Sequence, residues 1–172
     1  MKNRYAILVF GVVGIALAGT YLFARQEGYL VIDAPGVTLQ LQGAFGHHRT
    51  LESRAEPVAV PAHTHRPTSL ELRWMRDGDT WQMWSQGPWG ELGRIRVQRG
   101  QTTTIRLGPP LLVKPNVGIL QGQVSVDLRI FGQAGEQYTN LICRNDRRIA
   151  APQVAILDEA GTVLASGAFE YG

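Results

Sequence analysis

The residue types best suited to chemistry in this chain are four histidines, set in two pairs, and a single cysteine. His47 and His48 stand in "GAFGHHRT", His63 and His65 in "PAHTHRP". Neutral imidazoles bind zinc or copper, and an H-x-H pair on an extended chain directs both rings toward one ion. No carboxylate or thiol stands at a recognisable ligand spacing, so the histidines read first as solvated loop residues and second as a metal-handling site. Cys143 has no partner for a disulfide or a CxxC redox pair. A blue-copper centre pairs its cysteine with histidines and usually a methionine, and neither type occurs downstream of Cys143. Cys143 is therefore expected as a small core residue. G-x-S-x-G, H-E-x-x-H, the P-loop and G-x-G-x-x-G are all missing from the sequence, and nothing pairs a nucleophile with a base. Neither catalytic residues nor a cofactor are assigned, and the expectation is a protein that is not an enzyme.

Two further clusters point to contact. Trp74, Trp81, Trp84 and Trp89 fall in "WMRDGDTWQMWSQGPW". Trp74 shares a strand face with Leu70 and Leu72 and is assigned to the core, whereas Trp81 and Trp84, three apart, point to opposite faces. One of these two, with Trp89, is expected at the surface, where tryptophan favours protein or membrane contact; a glycan platform is the competing reading. From Glu91 to Asp127 no acidic residue intervenes, while Arg94, Arg96, Arg99 and Arg106 fall inside. That stretch would attract an acidic protein surface or anionic headgroups, and equally suits the solvated outer face of a half-buried strand. Net charge is +3, of which Lys2 and Arg4 supply two units, leaving about one for the rest. A nucleic-acid partner is not expected.

The elements that must position these residues begin with an uncharged run, residues 5–24. Twenty residues span roughly 30 Å as a helix, the thickness of a bilayer core. Ala16-Leu17-Ala18 before Gly19 matches an A-x-A cleavage site, which would make the run a signal peptide. Its length, the flanking Tyr5 and Tyr21, and the preceding Lys2 and Arg4 favour a retained anchor with a cytoplasmic N-terminus (residues 1–4) and an extracytoplasmic, periplasmic domain. Gly11, Gly14 and Ala18 lie on one side of that helix and would admit a partner helix closely. After a short linker, residues 25–28, period-two alternation begins, as in "VTLQLQ" and "SLELRWMR". Residues 44–68, with Pro57, Pro61 and Pro67, read as a long loop. About ten short strands over 29–172 then indicate an antiparallel β-sandwich or barrel-like sandwich.

The single apolar span "YAILVFGVVGIALAGTYLFA" followed by strands from "GYLVID" to "AFEYG" resembles the single-span accessory subunits with a periplasmic β-sandwich in bacterial photosynthetic reaction-centre and antenna complexes. The resemblance is architectural, carries no diagnostic motif and transfers no functional residue. It implies a non-catalytic scaffold in the plasma (inner) membrane that stabilises a larger assembly by contacts with other subunits and the bilayer. The alternatives are an anchored module for a glycan or small ligand, and a periplasmic metal-handling protein.

Overall fold

The structure, a computed structural model, describes residues 26–121 and 123–169. The apolar run 5–24, with Gly11, Gly14 and Ala18, lies outside the described residues. Among those described, no helix is long and apolar enough to cross a membrane. The fold is all-β, in several sheets. Its strands in order are β1 (Glu27–Asp33), β2 (Val37–Gln42), β3 (His48–Glu52), β4 (Val58–Pro61), β5 (Thr64–Arg76), β6 (Asp79–Ser85) and β7 (Ile95–Arg96). There follow β8 (Thr102–Arg106), β9 (Leu112–Leu120), β10 (Gln123–Phe131), β11 (Gln137–Tyr138), β12 (Ile142–Arg144), β13 (Arg147–Arg148), β14 (Gln153–Leu157) and β15 (Val163–Ala168).

Two sheets enclose the core, an arrangement consistent with a β-sandwich. One has the order β4-β1-β8; the other runs β13-β12-β6-β5-β2-β3, with β7 beside the start of β5. Alternation decides what each buries: Leu30 and Ile32 of β1 point inward, as do Val37, Leu39 and Leu41 of β2, while Gln40 and Gln42 face water. Leu70 and Leu72 of β5, Met83 of β6, Val60 and Ile105 join them in one cluster. Each such side chain contributes about 1.5–3 kcal/mol by leaving water. Asp77 and Gly78 turn β5 into β6 with φ of 53° and 82°, the positive pair that a tight hairpin requires. Gly36, at φ 65°, closes the β1–β2 turn where a Cβ would sit 1.7 Å from the Arg73 carbonyl oxygen.

Two expectations are corrected. Residues 44–68 are not a long loop but carry β3, β4 and the first part of β5. Their prolines are placed where a missing N–H does no harm. Pro57 precedes β4, Pro61 ends that edge strand, and Pro67 sits beside the register shift between β2 and β5. Pairing is also not antiparallel throughout, since β1 and β8 run parallel from Tyr29↔Thr102 to Asp33↔Arg106. A parallel neighbour needs a long crossover, and here the crossover is the whole of β2 to β7.

Beyond this core stand two ribbons. β9 and β10 pair along their full length, and β11 touches β10 only at Ile130 and Phe131. β14 and β15 pair with each other alone.

Candidate functional site

The β9–β10 ribbon is two-faced. Its cross-strand pairs Val113/Ile130, Pro115/Leu128, Val117/Val126 and Ile119/Val124 make one face wholly apolar. The other carries Lys114/Arg129, Asn116/Asp127 and Gly118/Ser125. Such a face ordinarily packs on a core, and at its base the β10 side does: Ile130 is buried, while its β9 partner Val113 is 53% exposed. Toward the tip the cover ends, leaving Val117 59% and Ile119 75% exposed. The second ribbon behaves alike, with Leu157, Val163 and Leu164 more than half exposed. Between the two, Val124 and Val126 face Val154, Ile156 and Ala165 across a cleft of about 410 Å³. A two-stranded ribbon is marginally stable in water on its own, and contiguous exposed apolar surface marks association sites. Pro115 in the middle of β9 removes one ladder donor, so this edge is poorly suited to strand addition.

The base of the long ribbon is held by a fully buried carboxylate, Glu136. Its Oε1 accepts from the Gly108 N–H (2.6 Å) and the Tyr138 hydroxyl (3.1 Å), its Oε2 from the Ala134 N–H (3.0 Å). Gly108 precedes β9 and Ala134 follows β10, so one side chain ties both roots of the ribbon. Further bonds join the roots to each other and to the core: Gln133 N–H to Gly108 C=O at 3.0 Å, Glu91 N–H to Ala134 C=O at 2.8 Å, and Ser85 Oγ to Gln137 C=O at 2.6 Å. Burial foremost, and then the neighbouring Glu136 charge, push the Tyr138 phenol far above its ordinary value, so it serves as a donor. Within "FGQAGEQY" Glu136 looks like one more turn residue. Sequence reasoning missed it, and its only signal was an acid confined between glycine and an aromatic strand.

The tryptophans do not form an open platform. Trp74 and Trp81 are cross-strand partners, their rings stacked 6.2 Å apart at 16°. From the other side the Arg144 guanidinium lies 5.8 Å from the Trp81 centroid, so both faces of Trp81 are occupied. Arg144 also pairs with Asp79, and its hydrogen bond, with that of Asn145, holds the Asp79 carboxyl below the usual range. Trp84 does point to the opposite face, across from Glu71. None of Trp81, Trp84 and Trp89 is fully exposed, and Trp89 packs against the core. Cys143 is buried, as expected.

The histidines are only partly gathered. The rings of His63 and His65 meet edge to face, 4.1 Å between centroids. His63 Nε2 accepts the Ala44 N–H at 2.7 Å, which places its proton on Nδ1, 3.1 Å from the Pro61 carbonyl. His65 Nε2 donates to the same carbonyl at 2.9 Å. Both nitrogens of His63 are thus committed to backbone, while His47 and His48 are exposed elsewhere on the same end of the domain. Among the described residues no three or more His, Cys, Asp or Glu side chains are grouped to hold a metal ion.

Arg94, Arg96, Arg99 and Arg106 are all exposed. Arg106 pairs with Asp33 at the far end of β1, separated from the other three by the length of β8. The expected single patch is therefore Arg94, Arg96 and Arg99 without Arg106, because β8 pairs with β1 rather than β7. Comparison of the chain with protein-family models, curated proteins and solved structures found no match.

Proposed function

We propose that this chain is a non-catalytic, membrane-anchored accessory subunit whose β-sandwich presents the β9–β10 ribbon and its companion hairpin to neighbouring proteins of a larger membrane assembly. The observation that carries the reading is the apolar face that leaves the core at Ile130 and ends uncovered at Ile119. A protein selected only to fold would gain nothing by extending this face into water. The Glu136 clamp adds to the argument, since a contact element fixed at both roots loses little freedom on binding. The closed Trp74–Trp81–Arg144 stack favours this reading over a glycan module, which needs a free aromatic face. An apolar anchor at residues 5–24 would supply a second attachment, and two modest contacts on one chain reinforce each other.

The test is extraction of the full chain from native membranes in mild detergent, followed by sizing and intact-mass measurement. A defined complex containing the chain from Met1, lost when Val117 and Ile119 are changed to aspartate, supports the proposal. A lone chain, or a complex indifferent to both substitutions, overturns it.

A further inference from the structure

The described chain begins at Gln26, and the structure brings four segments to that end of the domain. The Gln26 carbonyl accepts from the Ala62 N–H at 2.7 Å, and the Glu27 carbonyl from the Gly100 N–H at 2.8 Å. Val97 N–H donates to the His63 carbonyl, and Thr64 lies opposite Arg96. Gly43 to His48 close on the same end, through Ala44 and His63. On the outer face of the larger sheet this convergence sets exposed side chains in a row: His48 on β3, opposite Gln42 on β2, opposite Arg66 on β5, with Arg94 and Arg96 beside Thr64 and Arg66, and Arg99 at the following turn.

These arginines lie together and have no acidic partner among the described residues. Arg73, Arg76, Arg106, Arg129 and Arg144 each pair with an acidic side chain. Among the described residues Arg66, Arg94, Arg96 and Arg99 form no ion pair. Glu27 and Glu91 are the acids nearest in the chain to this end, and neither bridges to any of the four. Arg49, Arg54, Lys114 and Arg147 also form no ion pair among the described residues, but they lie on other elements, whereas Arg66, Arg94, Arg96 and Arg99 are grouped at the pole where the chain arrives from its apolar run.

We propose that this basic pole, carried by Arg66, Arg94, Arg96 and Arg99, rests on the anionic headgroups of the bilayer that holds residues 5–24. The inference rests on the reading of that run as a retained span. Ala24 and Gln26 are two residues apart, about 7 Å of extended chain at most, less than the roughly 8 Å Debye length at physiological salt. A domain tethered so closely keeps this pole within reach of the headgroups, and where that leaflet carries anionic lipid, at about 1 kcal/mol per basic residue each arginine favours the membrane-apposed orientation about fivefold. The anchor supplies proximity and the arginines supply orientation, which directs the rest of the domain away from the lipid.

The experiment uses the full chain in vesicles of phosphatidylcholine alone or mixed with phosphatidylglycerol. A fluorophore on Gln101→Cys reports approach to a headgroup-attached quencher, with the buried Cys143 of the unsubstituted chain as the labelling control. Stronger quenching in the mixed vesicles, reversed at about 1 M salt and abolished in R94Q/R96Q/R99Q of unchanged thermal midpoint, supports the proposal. Equal quenching in both vesicles overturns it while leaving the span intact. A pole that ignores anionic lipid yet binds poly-glutamate overturns it in favour of an acidic protein. A chain that floats with neither vesicle overturns the span, and this inference with it.

Discussion

Replacing Glu136 by glutamine tests whether the ribbon is built into the fold or merely attached to it. The substitution keeps the shape and removes half of the acceptor capacity. In its better orientation the amide oxygen takes the Oε1 position and still accepts from Gly108 and Tyr138, but the NH₂ then faces the Ala134 N–H that Oε2 accepted at 3.0 Å. Donor meets donor in a fully buried site. Two remaining bonds weaken on losing their charged acceptor, and two N–H groups lose partners. At about 1.5–3 kcal/mol for a hydrogen bond to a charged group and about 1–3 kcal/mol for an orphaned buried donor, the loss comes to about 3–5 kcal/mol. That is a large part of the ~5–15 kcal/mol that holds a domain together, and it corresponds to a midpoint lower by about 10–20 °C. The assay is urea and thermal unfolding of the full chain in detergent, followed by tryptophan fluorescence. Tyr138→Phe, which removes one donor and leaves the carboxylate, should cost only about 1 kcal/mol. If Glu136→Gln costs no more than Tyr138→Phe, the clamp is refuted.

Three other outcomes follow from the same geometry. Burial, with the neighbouring His65 second, lowers the His63 pKa in the folded chain; its contribution to stability is complete above the unfolded value of about 6.5 and is lost as pH falls below it, so the urea midpoint should drop between pH 7.5 and pH 5, and less so in His63→Gln. The raised Tyr138 phenol has the opposite sign: stability is complete below the unfolded value of about 10 and declines as pH rises beyond it, a decline that unfolding curves of Tyr138→Phe should lack. Gly36→Ala should cost more than about 2 kcal/mol by equilibrium unfolding, because the left-handed φ and the Arg73 carbonyl both oppose a Cβ.

Alternation made the inner faces of β1, β2 and β5 legible in the sequence, because each is an ordinary half-buried strand whose apolar side has a core to meet. The same rule applied to "VSVDLRIF" gives the right strand and the wrong environment, while its partner "LVKPNVGIL", with Pro115 in its middle, is not among the strands the sequence predicts. Periodicity reports which residues share a face, and says nothing of whether that face is covered. Residues 44–68 were obscured for a different reason: three prolines read as breakers when each sits at an edge, an end or a register shift. Trp81 illustrates a third limit, since its stacking depends on Arg144, more than sixty residues away in the chain and next to it only through β12–β6 pairing. The two roots tied by Glu136 are likewise far apart in sequence, and no local pattern marks a carboxylate whose donors come from both.

The parallel seating of β1 against β8 also sets an order of events. β1 leaves the ribosome first in the domain, yet Ile32 meets its partner Ile105 only when about 70 further residues have followed. At roughly 5–20 residues per second, the strand nearest the apolar run waits about 4–15 s with one edge open. Its other edge is filled sooner, by β4, about 30 residues after β1, and any chaperone that acts on this protein would find on the β8 side the longest-lived unsatisfied edge of the nascent domain.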